Sequence, residues 1–175
     1  MDFRKAIAAA IIAVMAVLAL SSRVSHARTP IGVLAPDINA ERWINSNGLT
    51  LAELRGKVVL VEFWTFGCYN CRNVEPHVRA WHEKYAGQGL VVVGVHSPEQ
   101  SFERDPTNVE KYVEEHGISY PIAIDNNFAL WDRYGNSAWP SIYLIDKRGL
   151  VRLEHIGEGA YSETETQIQA LLREN

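Results

Sequence analysis

The chain predicts an α/β sandwich built around a mixed sheet, and three features of the sequence predict it. Nearly continuous apolar runs of strand length alternate with segments of helical periodicity, one central run (Val58 to Phe63) is apolar enough to be buried on both sides, and a tight turn joins the last two strand-like runs. A chain of 175 residues with 47% hydrophobic residues can bury one substantial core.

The elements follow in order. Residues 1–27 read as an export signal: Arg4 and Lys5, an apolar stretch from Ala6 to Leu20, then the small-x-small pattern Ser25-His26-Ala27. The apolar stretch is short of the roughly 20 residues that span a bilayer comfortably, so cleavage after Ala27 is favoured over a retained N-terminal membrane anchor. Residues 28–175 then form one domain. From Ile31 to Thr50 an N-terminal extension is expected, with a hairpin over Glu41 to Thr50 turning at Asn47-Gly48. Leu51 to Leu54 makes one helical turn before Arg55-Gly56-Lys57, and Val58 to Phe63 is the central strand. From Cys71 to Tyr85 the apolar spacing of Val74, Val78, Trp81 and Tyr85 is helical, with Pro76 interrupting the hydrogen-bond ladder and expected to bend it.

Leu90 to His96 is a second strand, Asn108 to His116 a helix bounded by Gly117, and Tyr120 to Ile124 a short strand. Asn127 to Tyr134 gives a short helix, Ser141 to Asp146 and Leu150 to Ile156 strands joined through Lys147-Arg148-Gly149, and Ser162 to Arg173 a terminal helix. There is no internal repeat, linker or low-complexity tract.

The formal charge of −4 becomes more negative without residues 1–27, which carry Arg4, Lys5 and Arg23 against Asp2. That balance offers no general attraction to nucleic acid or anionic lipid, so neither is an expected partner.

Cys68 and Cys71 are the only thiols, and they sit where the central strand meets a helix. A thiolate is the species that attacks a disulfide, and the free N–H groups and positive dipole end of a helix stabilise it. Cys68 is therefore the expected nucleophile and Cys71, brought back within the first turn, the resolving thiol of a redox-active Cys68–Cys71 disulfide. Other chemistries fit less well. Zinc wants about four ligands, yet no second Cys pair exists and His77, His82, His96, His116 and His155 lack ligand spacing; no metal is expected. Haem attachment needs His where Arg72 stands, and a purely structural disulfide would close only a four-residue loop.

The segment Val61-Glu62-Phe63-Trp64 before Cys68-x-x-Cys71, Pro76 in the following helix, and Trp139-Pro140 before a strand resemble the thioredoxin superfamily. Ala35-Pro36-Asp37, the Leu51 to Val61 lead-in, the Ser97 to Pro121 insertion and Leu144-Ile145-Asp146-x-x-Gly149 are similar to its exported TlpA/ResA-like branch. Phe66-Gly67-Cys68-Tyr69-Asn70-Cys71 and Gly94 to Glu99 resemble the redoxin domains fused to the bacterial membrane electron carrier DipZ.

The resemblance implies a thioredoxin-like three-layer sandwich with a central insertion, covering about Ile31 to Leu172. It also implies roles. Glu62, an ionisable group in an otherwise apolar strand, becomes a buried proton acceptor for Cys71; the alternative is that strand alternation lets it reach solvent or pair with Lys57. Trp139-Pro140 matches a cis-proline loop opposite the nucleophile, with Trp139 adding a flat apolar surface beside it, or simply packing in the core. Tyr69 and Asn70 line the substrate side and tune the redox poise, while Trp64 packs behind the dithiol loop. His77 is placed on the helix surface, away from catalysis.

The function implied is an extracytoplasmic thiol–disulfide oxidoreductase, in the periplasm or at the outer face of the cytoplasmic membrane, that reduces disulfide-bearing proteins such as apocytochrome c. No nicotinamide or flavin fingerprint is present, so no cofactor is expected and electrons must come from a membrane thiol carrier. A disulfide oxidase or isomerase, a thiol peroxidase, and a non-enzymatic copper-binding or redox-sensing module are the alternatives.

Overall fold

The computed structural model describes residues 29–174, so the signal or anchor expected over residues 1–27 lies outside the described residues. Six strands form one mixed sheet: β1 (Arg42–Ile44), β2 (Val58–Trp64), β3 (Leu90–His96), β4 (Ile122–Ile124), β5 (Ser141–Ile145) and β6 (Val151–Ile156), in the spatial order β1-β4-β3-β2-β5-β6. The interior pairs β2·β3 and β3·β4 are parallel, whereas β2·β5, β5·β6 and β1·β4 are antiparallel. Among the described residues four α-helices, α1 (Tyr69–Tyr85), α2 (Pro106–Glu115), α3 (Ala129–Tyr134) and α4 (Tyr161–Arg173), complete the layers.

Strand β2 occupies the centre because all seven of its residues are apolar or buried, and its two-residue period divides them between two cores. Val58, Leu60 and Trp64 face α1, α2 and α4, whose apolar stripes contribute Val74, Val78, Trp81, Val109, Val113, Ile168 and Leu171. Val59, Val61 and Phe63 face the opposite core with Ile38, Leu51, Leu130, Tyr134 and Tyr143. Glu62 shares the parity of Leu60 and Trp64 and is thereby aimed at the α1 side. Opposite it on β3 stands Gly94, where an added Cβ would come within 2.8 Å of the Trp64 indole nitrogen and 2.6 Å of Ile122.

The sequence reading of strands and helices is reproduced to within two residues at most ends. The expected hairpin is not formed. Only Arg42–Ile44 is a strand, and it adds to the β4 edge instead of folding onto a local partner. Asn45 explains the departure: it takes a left-handed φ of 61°, and its side-chain amide donates to the carbonyls of Ile118 and Tyr120, pinning the chain to the insertion. After Gly48 the chain enters a turn, in which Glu53 accepts from both the backbone N–H and the hydroxyl of Thr50. The insertion between β3 and β4 is present and holds a 3-10 turn (Ser101–Arg104) and α2. Pro76 lies within α1 without ending it.

Candidate active site

The C-terminal end of β2 runs through Thr65, Phe66 and Gly67 into the N-terminus of α1. Cys68 is the N-cap of that helix, in extended conformation, and its sulfur accepts the backbone N–H of Cys71 at 3.3 Å. A sulfur in the N-cap position does what a Ser or Asp oxygen does elsewhere: it satisfies an orphan N–H at the start of the helix. Both cysteines are free thiols in this structure; Cys68 is half-buried and Cys71 only 3% exposed.

Burial pushes the Cys71 thiol far above its ordinary range, and the nearby Cys68 and Glu62 add to that shift. Glu62 is itself 2% exposed and pushed up to about 8, first by burial and then by the charge of Glu75. Neither solvent nor Lys57 relieves it: among the described residues Glu62 has no ion pair. Its charge is among the causes that raise the Cys71 thiol, so a buried carboxyl group and a buried thiol stand within electrostatic reach of each other.

Gly67, Cys68, Tyr69, Asn70, Glu99 and Trp139 line an open depression. Tyr69 is 69% exposed, and Asn70 beside it also faces solvent. The Trp139–Pro140 bond is cis, as the resemblance implied. Trp139 both packs and lines: its ring lies 4.2 Å from that of Trp131, its indole N–H donates to the Ser97 carbonyl at 3.0 Å, and it faces the depression beside Cys68. Trp64 is buried behind the loop, edge-on to His96 at 5.3 Å. Pro76 stands on the exposed side of α1, and His77 stacks on Tyr161 at 3.7 Å, away from the sulfurs.

Several residues at the site went unassigned in the sequence reading. Glu75, one helical turn beyond Cys71 and 9% exposed, accepts from the Tyr112 hydroxyl at 2.7 Å and meets His116 Nδ1 at 3.2 Å. Its signal was available: the i, i+4 spacing from Cys71 puts it on the buried side of α1. His96 is fully buried, held neutral by burial with its pKa lowered to about 4, and contacts the Thr65 hydroxyl at 3.2 Å. Glu103, also fully buried, reaches the Gly67 N–H from the insertion, and nothing in its polar sequence neighbourhood signals that contact.

Residues 31–154 match the AhpC/TSA family. The chain is 49% identical over 144 residues to the protein DipZ of Mycobacterium tuberculosis (strain CDC 1551 / Oshkosh), an alignment covering 80% of this chain but only 21% of that relative. It is 33% identical over 141 residues to the thiol-disulfide oxidoreductase YkuV of Bacillus subtilis (strain 168), covering 79% of this chain and 94% of the relative. Among solved structures, a thioredoxin-like superfamily protein superposes with a TM-score of 0.76 at 26% identity, over 83% of this chain and 99% of that one. The fold is thioredoxin-like.

Proposed function

We propose that this chain, which belongs to the AhpC/TSA family, is a thiol–disulfide oxidoreductase that reduces disulfides of other proteins outside the cytoplasm through Cys68 and Cys71. The observation that carries this reading is the asymmetry of the pair. One sulfur is half-exposed at a helix N-terminus, and the other is buried beside a carboxyl group whose proton affinity lies near the neutral range.

The Cys68 thiolate attacks one sulfur of the substrate disulfide, and the other substrate sulfur leaves as a thiolate. In the mixed disulfide, Cys71 passes its proton to Glu62 and attacks Cys68. The Cys68–Cys71 disulfide forms, the second substrate thiol is released, and two electrons have passed to the substrate. A carboxyl group with a pKa of about 8 is suited to this step, since its ionised form is a strong enough base to help a thiol whose burial resists ionisation. Tyr69, Asn70, Trp139 and Pro140 form the surface that meets the substrate chain.

Residues 1–27 serve as a cleaved export signal or a retained anchor, and residues 28–175 are the catalytic domain. A membrane thiol carrier returns the electrons, because an oxidising compartment supplies none.

The test is the reduction potential of the Cys68–Cys71 pair, followed by thiol alkylation. A value at or below about −250 mV supports a reductant, whereas one near about −120 mV, the range of a strong oxidant, reverses the direction of electron flow and leaves the dithiol chemistry standing.

A further inference from the structure

Glu103 takes no part in the exchange chemistry above, yet it is fully buried and its carboxylate touches the active-site loop. One oxygen accepts the Gly67 N–H at 2.8 Å, and the other accepts the N–H groups of Glu99 at 2.6 Å and Gln100 at 2.5 Å. Among the described residues no cation pairs with it. A carboxylate buried against backbone donors alone is expensive to place unless those donors are well aimed, and one of the three belongs to the residue directly before the nucleophile.

The space around Gly67 is shaped to the same contact. A Cβ there would stand 2.3 Å from the Glu103 oxygen and 3.2 Å from its carboxyl carbon. Gly67 does not have a left-handed φ, so close approach, and not turn geometry, is what the glycine permits. The two preceding residues are held from the same side. His96 meets the Thr65 hydroxyl at 3.2 Å, and the Phe66 ring is stacked near both His96 and Tyr112, each at 5.6 Å, with Phe102 tilted against it. Every residue of the loop from Thr65 to Gly67 is thus gripped by the end of β3 or by the insertion.

We infer that Glu103 is a positioning residue for Cys68: by holding the Gly67 N–H it fixes the backbone that presents the nucleophilic sulfur. The insertion, distant in sequence, thereby sets the reactivity of the dithiol. This inference rests on the dithiol reading above but needs only that Cys68 be a reactive thiol.

The experiment uses the full reduced chain and the small disulfide 5,5′-dithiobis(2-nitrobenzoate). Cys68 thiolate displaces one thionitrobenzoate and forms a mixed disulfide; Cys71 then attacks Cys68 and releases the second thionitrobenzoate. The first release gives the rate constant of Cys68 per folded molecule, with near-ultraviolet circular dichroism reporting the folded fraction. Glu103→Gln is expected to slow it by about 10- to 100-fold, the scale of a small misplacement of reacting atoms. Gly67→Ala, which displaces the same carboxylate from the other side, is expected to lose a similar factor, and the double variant to be no slower than the slower single variant.

Folded single variants reacting at the wild-type rate, or losses that simply multiply, overturn the assignment. If Glu103→Gln fails to fold, Gly67→Ala decides alone by the same criterion. In the wild type, the Gly67 amide must also exchange with solvent more slowly than those of Tyr69 and Asn70; equal exchange overturns the contact without any variant. A wild-type chain that reacts with the small disulfide but reduces no protein disulfide removes the proposed function and leaves this test readable.

Discussion

The two faces of β2 are built from the same strand but carry different burdens. Toward α3, Val59, Val61 and Phe63 enter a core closed by aromatic edges: Phe63 meets Trp131 at 6.0 Å, Tyr134 at 5.3 Å and Tyr143 at 5.8 Å, and Tyr134 meets Tyr143 at 5.1 Å. Toward α1, the alternate residues include Glu62, and the helix opposite supplies Cys71 and Glu75 among its buried positions. The first face takes only apolar side chains from β2; the second takes Glu62 as well, beside the buried Cys71 and Glu75 of the helix opposite. Under the proposed function, the contrast teaches that one strand can serve a reactive layer on one side and a purely apolar one on the other.

The sharpest way to test that division is at the sulfur itself. Cys68→Ser should lower protein-disulfide reduction by at least about 10³-fold while leaving the unfolding midpoint nearly unchanged, read by insulin reduction and urea titration. The mirror experiment is Phe63→Ala. It should cost about 3–5 kcal/mol of stability in denaturant titration and leave the rate per folded molecule close to wild type.

Glu62→Gln reads both quantities at once. Turnover limited by Cys71 deprotonation should rise through a pH of about 8 in the wild type and lose that rise, with about a 100-fold lower rate, in the variant. Stability moves the other way. Because the folded pKa is raised from 4.5 to about 8, the folded state binds the proton more tightly, so the wild type loses stability relative to Glu62→Gln as pH rises through that window and no further above it. The relative loss should be on the order of 4 kcal/mol, measured by unfolding at pH 5 and pH 9. A parallel pH dependence in both proteins would erase the distinction between the faces.

The smallest effect is expected away from both. Arg42 and Glu110 pair at 2.7 Å with side chains 52% and 46% exposed, so Arg42→Ala should change stability by no more than about 1 kcal/mol and activity not at all.

Much of this was legible in the chain because it depends on local pattern. An unbroken apolar run made β2 central, the switch to helical spacing marked α1, and a single glutamate in that run stood out as needing a purpose. The failed hairpin shows the limit. Asn47-Gly48 is a local turn signal, whereas the partner chosen by Arg42–Ile44 is a distant edge made available by β4 and secured by Asn45. Glu103 was illegible for the same reason: its meaning lies in three backbone N–H groups that only the folded chain brings together. Glu75 falls between these cases, readable as a helix-face residue but not as the neighbour that raises Glu62.

The exposure difference between the cysteines has a kinetic consequence. In the proposed exchange, with Cys71 covered, a partner that brings electrons and one that takes them both react at the Cys68 sulfur. Donor and acceptor therefore cannot engage one molecule together, and catalysis is confined to two alternating half-reactions. Double-reciprocal plots at several donor concentrations should be parallel lines, the signature of a ping-pong cycle.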